Sequence, residues 1–290
     1  MASLKEIKSR IQSVKSTQKI TSAMKMVSSA KLRKAQKQIE SFYPYEQKLT
    51  HILTNFLSTE EENTSVYAEN REVKRVAIVA FSSNSSLCGS YNSNVVKKLT
   101  ATIKEYSHLG KDNIVIFPIG KKIAQAVKKM GFPIAENFDG MADRPTYQAS
   151  QEFSDRLMNM FVAHEVDKVE LIYHHFKNKS SQVLVQETYL PISLEYANDG
   201  RTTIHTNYLV EPNRPELLNE LIPKVIRLKL YTALLDSAAS EHAARTIAMQ
   251  IATDNADDLL QELNLEYNKS RQQAITSELL DIIGGSFGQN

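Results

Sequence analysis

Residues 228–263 read LKLYTALLDSAASEHAARTIAMQIATDNADDLLQEL, and neither proline nor glycine occurs between Pro223 and Gly284. Apolar or small side chains recur here at alternating spacings of three and four residues, with a few polar ones in the same frame. The frame consists of Leu228, Tyr231, Leu235, Ala238, His242, Arg245, Met249, Ala252, Ala256, Leu259 and Leu263. This spacing is typical of a helix that packs closely on a second helix. We therefore predict one helix of about 60 residues, or ~90 Å, with Pro223 in its first turn and Gly284-Gly285 at its end.

The N-terminus has the same character, because Met1 to Tyr43 contains no proline or glycine. A helical apolar stripe begins with Leu4, Ile7, Ile11 and Val14 and returns with Leu32, Ala35, Ile39 and Phe42. Between these two parts the same frame holds the polar residues Gln18, Thr21, Lys25 and Ser28, while apolar residues occur at Ile20, Ala23, Met24 and Val27. We interpret this as a seam that rotates around one helix. Ser3 and Glu6 are spaced as a capping box, and Pro44 either kinks the helix or lies within a helix that continues to about Leu57.

These features predict an antiparallel two-helix coiled coil built from both ends of the chain, because a ~90 Å helix is too long to be buried in a globule of this size. The middle changes to short β-rich runs at Val76–Phe81, Ile114–Ile119, Val169–Tyr173 and Val183–Leu190. Helical patterns alternate with them at Ser93–Tyr106, Lys121–Lys129 and Thr146–His164. The alternation indicates a small Rossmann-like α/β domain with a largely parallel sheet. The expected domains are residues 1–57 and 216–285, which form one discontinuous coil, and residues 70–212.

Composition and charge narrow the possible functions. The chain is 42% hydrophobic, has no long apolar run and contains a single cysteine, Cys88. We therefore expect neither a disordered chain nor a membrane span nor an internal disulfide. Residues 1–43 carry ten basic and two acidic side chains, whereas residues 253–290 carry seven acidic and two basic ones. A basic end is compatible with nucleic acid, a membrane surface or an acidic protein partner, but few aromatic residues interleave with these cations.

The common catalytic and nucleotide-binding motifs are missing from the sequence, and we expect no cofactor and no metal. The most enzyme-like feature is the polar loop Ser82–Gly89 after the first β-run, where α/β sheets often bind ligands. Cys88 has no evident base beside it, so we expect it to be a packed residue. Adjacent residues on a strand face opposite ways, so His174 and His175 cannot share a metal. His242 lies on the helical seam, where we expect it to hydrogen-bond within the coil.

Both termini resemble one known family, the gamma subunits of F-type ATP synthases. The resemblance rests on LKEIKSRIQSVKSTQKITSAMKMVSSAKLRKAQ at residues 4–36 and on SEHAARTIAMQIATDNADDLLQELNLEYNKSRQQAITSELLDIIGGS at residues 240–286. The middle is similar in length, element order and the stretch LCGSYN at residues 87–92. Two departures stand out: Ser85-Ser86 replaces the family's usual Arg-Gly, and Asp236-Ser237 stands where the family often has Glu-Ser.

The resemblance implies a non-catalytic rotor shaft, one copy per complex. In that family the coil lies inside a hexamer of alpha and beta subunits, while the α/β domain forms a foot on the epsilon subunit and the c-ring. Proton flow turns the ring and the shaft. Residues that match the family's contact zones with beta are Met24, Lys25, Arg271, Gln272, Thr276 and Glu278. We also expect the apolar residues Ile282, Ile283 and Phe287 at the tip to form an apolar bearing contact.

Two other interpretations remain open at the level of sequence. One is a coiled-coil adaptor whose basic helix binds acidic partners or nucleic acid, although the resemblance implies no nucleic acid. The other is a small α/β enzyme that uses the Ser82–Gly89 loop. The N-terminus MASLKEIKSR lacks the features of a secretory or import leader. We therefore expect a bacterial protein at the cytoplasmic face of the inner membrane, held there through the complex.

Overall fold

The computed structural model describes residues 3–57, 65–134, 136, 138–192 and 213–287. Its contacts divide the chain into a coil unit (residues 1–28 and 245–290) and a sheet unit (residues 29–244). Two long helices, α1 (Leu4–Leu57) and α6 (Arg214–Phe287), contribute residues to both units. None of the helices in the described part of the chain is long and apolar enough to cross a membrane.

The described part of the sheet unit holds four strands and four shorter α-helices. They follow one another as β1 (Val76–Phe81), α2 (Tyr91–Glu105), β2 (Ile114–Ile119), α3 (Lys121–Lys129), α4 (Asp139–Asp143), α5 (Tyr147–Val162), β3 (Lys168–Asn178) and β4 (Ser181–Leu190). The predicted strands and helices are all present. The structure adds the short helix α4 and extends β3 to Asn178, beyond the predicted end at Tyr173.

The strands are ordered β2-β1-β3-β4, with β1 parallel to both β2 and β3. Of these four described strands, only β4 runs antiparallel, to β3. The physical reason is the connection: Asn178 pairs with Ser181, so two residues join the strands, and a parallel crossover needs a dozen or more. The predicted largely parallel sheet is thus confirmed, with one antiparallel edge strand.

The sheet is covered on both faces, which explains why every residue of β1 is buried. Its alternate side chains Val76, Ile78 and Ala80 pack with residues of α2 and α3. The intervening Ala77, Val79 and Phe81 pack with α5 and with the N-terminal part of α6. One face of the sheet therefore supports α6 directly.

The ends of the long helices confirm one prediction and correct two. Ser3 and Glu6 form the capping box: the Ser3 N–H donates to Glu6 Oε2 at 2.8 Å, and the Glu6 N–H donates to Ser3 Oγ at 3.3 Å. Of the two alternatives for Pro44, the continuous helix to Leu57 is correct. The predicted place of Pro223 in the first turn is wrong, because α6 begins at Arg214. Its neighbours on α6 are buried in the core, which offsets the missing hydrogen bond.

The predicted end of α6 at Gly284-Gly285 is also wrong, because the helix runs to Phe287. Glycine permits a left-handed helix end without requiring one, and in a helix interior it costs only about 1 kcal/mol.

A polar network fastens the segment before β1 to the end of α5. Arg71 Nε donates to Asp167 Oδ1 at 2.8 Å, and Arg71 Nη2 donates to the carbonyls of Phe161 and Val166, each at 2.7 Å. The backbone N–H groups of Lys74 and Arg75 donate to Asp167 Oδ2, each at 2.9 Å. Burial opposes the charge of Asp167, but these donors outweigh it and lower the pKa of the carboxyl. The charged form of Asp167 is therefore the one that the fold uses.

We expect Asp167→Asn to destabilise the chain by about 2–3 kcal/mol, because it leaves the mostly buried Arg71 with only the exposed Glu69, at 3.5 Å, as an ionic partner. Urea unfolding of the full chain at neutral pH measures the loss. As a control, Lys74→Ala removes a side chain that is 77% exposed and should change stability by less than about 0.5 kcal/mol. Equal stabilities of the Asp167→Asn variant and the wild type would contradict this account.

Candidate functional site

The coil unit is held together by side chains that join α1 to α6. Three polar pairs do this: Gln18 Nε2 donates to Asp257 Oδ1 at 2.5 Å, the Thr21 and Thr253 hydroxyls lie 2.9 Å apart, and Lys25 Nζ donates to Gln250 Oε1 at 2.9 Å. From pair to pair, the residue number increases along α1 and decreases along α6. The two helices therefore run antiparallel, as predicted.

The predicted rotating seam of α1 is wrong. Thr21 and Ser28 are buried, whereas Ile20 and Val27 are 59% and 58% exposed. The seam keeps its original frame and becomes polar, because a hydroxyl or amide can be buried when it finds a partner on the facing helix. Gln18, Thr21, Lys25 and Ser28 continue the three-four spacing of the seam, so their spacing predicts that they face α6. Their low hydropathy suggests the opposite.

The outward faces of the coil unit carry opposite charges. The lysines and arginines of α1 outside the seam are exposed, and so are Asp254, Asp258, Glu262, Glu266 and Glu278 of α6. Among the described side chains of this unit, no basic group of α1 forms an ion pair with an acidic group of α6. The charges are therefore available to other molecules. An acidic surface fits the α1 side and a basic surface fits the α6 side.

The predicted contact residues fall into two zones of the coil unit. Met24 and Lys25 are half-buried and lie at the level of Gln250, while Ile20 and Val27 are exposed beside them. The second zone begins about 30 Å further along α6 and contains the exposed residues Arg271, Gln272, Thr276 and Glu278. The structure brings together the members of each zone but does not join the two zones.

The second zone lies where the pairing of α6 with α1 ends. Extended at the observed register, the first turn of α1 reaches about Arg271, so residues 272–287 have no α1 residue opposite them. Ile282 and Ile283 are 69% and 52% exposed. The side chain of the third predicted bearing residue, Phe287, lies outside the described part of the structure.

The Ser82–Gly89 loop of the sheet unit is used to build the fold. Ser82 Oγ accepts from the Ile123 N–H at 2.9 Å, the Ser83 carbonyl accepts from the Lys122 N–H at 3.2 Å, and Asn84 Oδ1 accepts from the Lys121 N–H at 2.9 Å. These are the first three N–H groups of α3, so the loop caps that helix.

Two further residues of this region explain its close packing. A Cβ on Gly120 would lie 2.3 Å from the Ser82 carbonyl oxygen, and Gly120 has a φ of +103°, so only glycine fits there. Cys88 is 1% exposed, in agreement with a packed residue rather than an accessible nucleophile. The polar character of the loop therefore serves helix capping.

The adjacent residues His174 and His175 face opposite sides of β3, as predicted, and have opposite electrostatics. His174 is buried and stacks on the Tyr91 ring at 4.4 Å between centroids, and burial lowers its pKa to about 4. His175 Nδ1 lies 2.5 Å from Asp236 Oδ2, and this hydrogen bond raises the pKa of His175 against the effect of partial burial. The contacts of both histidines, with Tyr91 and with Asp236, thus belong to the packing of the fold.

Metal ligation has no support in the described residues, since no three of their His, Cys, Asp and Glu side chains come together as a metal site. His242 is half-buried on α6, and its predicted hydrogen bond within the coil stays a prediction.

The chain is a coiled-coil protein, in which the two terminal helices pair and an α/β domain is inserted between them in sequence. Comparison with known proteins assigns it to a family with this architecture. A family model described as ATP synthase matches residues 3–287. The ATP synthase gamma chain of Bacteroides thetaiotaomicron is 58% identical, with 99% of each chain covered. The gamma chain of Phocaeicola vulgatus is 57% identical, again with 99% of each chain covered.

Two solved structures share the fold. A chain of the Euglena gracilis mitochondrial ATP synthase (OSCP/F1/c-ring) aligns with a TM-score of 0.66 at 20% identity and covers 98% of this chain and 94% of its own. A chain of the Tetrahymena thermophila mitochondrial ATP synthase (central stalk/c-ring) gives 0.57 at 23% identity, covering 80% and 99%.

The chain belongs to the gamma-chain family of ATP synthases. The family resemblance drawn from the two termini is confirmed over the full length, and a gamma chain is a non-catalytic subunit of the synthase.

We expect the polar seam to show coupling between its two threonines. Thr21→Val and Thr253→Val should each cost about 1 kcal/mol, because each removes the hydrogen bond between the two helices and leaves the other hydroxyl with only the carbonyl of its own helix. The double variant should cost clearly less than the sum, because both polar groups are then replaced by groups of the same shape. Unfolding of the full chain in urea measures all four states, and strictly additive losses would contradict the pairing.

We also expect the two histidines to shape the pH dependence of stability in opposite ways. Folded His174 stays neutral down to about pH 4, whereas the unfolded residue binds a proton near pH 6.5. Stability therefore falls as the pH drops from about 6.5 towards 4, by up to about 1.4 kcal/mol per pH unit, and His174→Gln should flatten this slope.

His175 has a raised pKa, so its contribution is present below pH 6.5 and is lost as the pH rises through that raised pKa. His175→Gln should therefore cost stability in mild acid and little in alkali. Urea midpoints measured across the pH range test both variants. Parallel curves for wild type and both variants would contradict the assignment.

Proposed function

We propose that this chain is the central rotor shaft of a bacterial F-type ATP synthase, coupling proton flow through the c-ring to ATP synthesis and hydrolysis. In this proposal the coil formed by residues 1–57 and 216–285 turns inside a hexamer of alpha and beta subunits. Residues 70–212 form the foot that contacts the epsilon subunit and the c-ring. The observation that carries the proposal is the full-length relationship to gamma chains.

The chemistry of the coil unit supports this role. Its two helices are fastened by polar pairs at the seam, so the outward charges and apolar side chains are not needed to hold the coil. The two helices carry charges of opposite sign, so the faces of the coil are chemically unequal. A turning shaft can bias three similar catalytic sites only through unequal contact energies, because equal contacts shift no equilibrium.

The first contact zone combines charge with apolar surface. The ammonium group of Lys25 is 2.9 Å from Gln250 Oε1, and Gln250 Nε2 donates in turn to Asp254 Oδ1 at 2.7 Å. Met24 and the exposed Ile20 lie beside it. We infer that this zone makes weak, reversible contact with acidic loops of beta, since a tight ion pair would lock the rotor.

The second contact zone begins at the last level of α6 that α1 reaches and continues beyond it. Arg271, Gln272, Thr276 and Glu278 are exposed there. The Thr276 hydroxyl bonds its own helix, donating to the Gln272 carbonyl at 2.9 Å, whereas Arg271 has no ion pair among the described residues. We infer that Arg271 meets an acidic loop of beta and that Ile282, Ile283 and Phe287 form the apolar bearing. Through the complex, the chain would lie at the cytoplasmic face of the inner membrane.

The experiment that tests the assignment is purification of tagged full-length chain from the detergent-solubilised membranes of its host. We expect alpha, beta and epsilon chains and the c-ring in fixed stoichiometry, with ATPase activity that the chain alone lacks. Recovery of the chain alone, or with nucleic acid, would overturn the proposal in favour of the adaptor alternative.

We expect Arg271→Ala to lower ATP-driven proton pumping per ATP hydrolysed in the assembled complex, because it removes a cation from the second contact zone. The stability of the isolated chain should stay within about 0.5 kcal/mol of wild type, since the side chain is exposed. Lys269→Ala is the matched control, because Lys269 is also exposed but lies on a different side of α6. Unchanged coupling in Arg271→Ala, or equal losses in both variants, would contradict the role of Arg271.

A further inference from the structure

A short stretch of α6 buries three polar side chains in the sheet unit. Asp236 and Ser237 are each 4% exposed and Ser240 is fully buried. Their neighbours Leu234, Leu235 and Ala239 are apolar and equally buried, so apolar packing alone already surrounds the helix here. Burying polar groups costs free energy unless each finds a hydrogen-bond partner. The partners of these three residues therefore indicate what the arrangement is for.

Each of the three side chains is bonded to an element of the α/β domain. Asp236 Oδ2 pairs with His175 Nδ1 of β3 at 2.5 Å. Ser240 Oγ donates to the His174 carbonyl of β3 at 3.0 Å. The stretch is thus bonded to β3 on both sides of Ser237, one helical turn apart.

The third contact ties the same stretch to α2. Tyr91 Oη lies 2.7 Å from Ser237 Oγ and donates to the Ser237 carbonyl at 3.0 Å. Tyr91 also stacks on His174, which joins α2 to β3 at the same place. We name the six residues Asp236, Ser237, Ser240, Tyr91, His174 and His175 the α6–sheet junction.

A second set of bonds holds α6 about 15 Å nearer its N-terminus. Arg227 Nε donates to Asp155 Oδ1 at 2.6 Å, and Tyr189 Oη donates to the Ile226 carbonyl at 3.0 Å. Tyr189 is itself fixed by Ser154, whose hydroxyl lies 2.7 Å from Tyr189 Oη. The helix is thus bonded to the α/β domain at two levels along its axis.

Polar and apolar contacts respond differently when such a helix is twisted. Apolar contact is non-directional, so it opposes rotation of the helix only through the shapes of the packed side chains. Hydrogen bonds weaken steeply when their angles change, and a buried donor or acceptor that loses its partner cannot recover the loss from water. The buried bonds therefore add a directional resistance to rotation of α6 about its own axis, beyond that of the surrounding apolar packing.

We propose that the α6–sheet junction is the torque-bearing attachment between the shaft helix and the foot domain. Its members are positioning residues that hold α6 at a fixed rotation and register on the sheet. The inference rests on the proposed rotor function and adds the place where rotation of the foot passes into α6. If the junction is weakened, α6 turns relative to the α/β domain when torque is applied. ATP hydrolysis then produces less rotation of the foot domain.

The test uses the assembled complex carrying the triple variant Tyr91→Phe, His175→Gln and Ser240→Ala, which removes both bonds of Tyr91 to Ser237 and one bond each of Asp236 and Ser240. ATP hydrolysis and ATP-driven proton pumping are measured on the same membrane vesicles. We expect hydrolysis to stay within about two-fold of wild type and protons pumped per ATP to fall at least about two-fold. Ser240→Thr, which keeps the hydroxyl, should retain wild-type coupling.

Asp167→Asn is the matched control for loss of stability. It weakens the Arg71 network of the α/β domain and touches no residue of α6. Coupling should be preserved in this variant at a similar loss of stability. If Asp167→Asn uncouples as strongly as the triple variant, the effect follows stability and the proposal is overturned.

The remaining outcomes are also decisive. Wild-type coupling in the assembled triple variant overturns the torque-bearing role and leaves the rotor function intact. If the triple variant does not assemble, Tyr91→Phe alone replaces it, since it deletes one hydroxyl and keeps the stacked ring. Its coupling must then fall for the proposal to stand. Failure of the wild-type chain to assemble with alpha and beta chains would instead refute the proposed function.

Discussion

The pairing of α1 with α6 is the interaction on which the rest of the structure depends. Neither helix can bury its seam alone, and each lies at an opposite end of the chain. In the coil unit the seam is polar at Gln18, Thr21 and Lys25. In the sheet unit the same two helices meet through apolar contacts, with Leu32 and Ala35 packed on Ala239 and Ala243. A polar seam fixes which residues face each other, whereas an apolar seam mainly supplies burial.

In the sheet unit, α6 is also attached to the α/β domain. Because β1 is covered on both faces, the sheet has one face for α2 and α3 and another for α5 and α6. Apolar packing holds α6 on that second face, and the buried polar bonds at Asp236, Ser237 and Ser240 fix its rotation. The Ser82–Gly89 loop lies where α/β sheets often bind ligands, but its polar groups cap the N-terminus of α3. The same chemistry that looked catalytic in the sequence serves to hold elements in place.

Sequence patterns predicted the elements whose cause is local. The bounds of β1, β2 and α3 match the prediction to the residue, because continuous apolar runs and a helical repeat define them. Sequence patterns were misleading where residues far apart in sequence determine burial. Thr21 and Ser28 are buried against α6, and Thr21 bonds Thr253 there. Hydropathy alone therefore predicted the wrong face of α1 as the seam. The place of Pro223 inside α6 likewise depends on a core built from other parts of the chain. The junction was hidden for the same reason, since His175 and Asp236 are far apart in sequence.

The most direct test of the account is observation of the chain turning. The assembled complex is fixed by its beta subunits and a visible probe is attached to an exposed foot residue, such as a cysteine introduced at Lys97 after Cys88→Ser. The account predicts unidirectional rotation on addition of ATP, because the catalytic sites would favour successive orientations of the shaft. ATP hydrolysis at the normal rate with a stationary probe would contradict it.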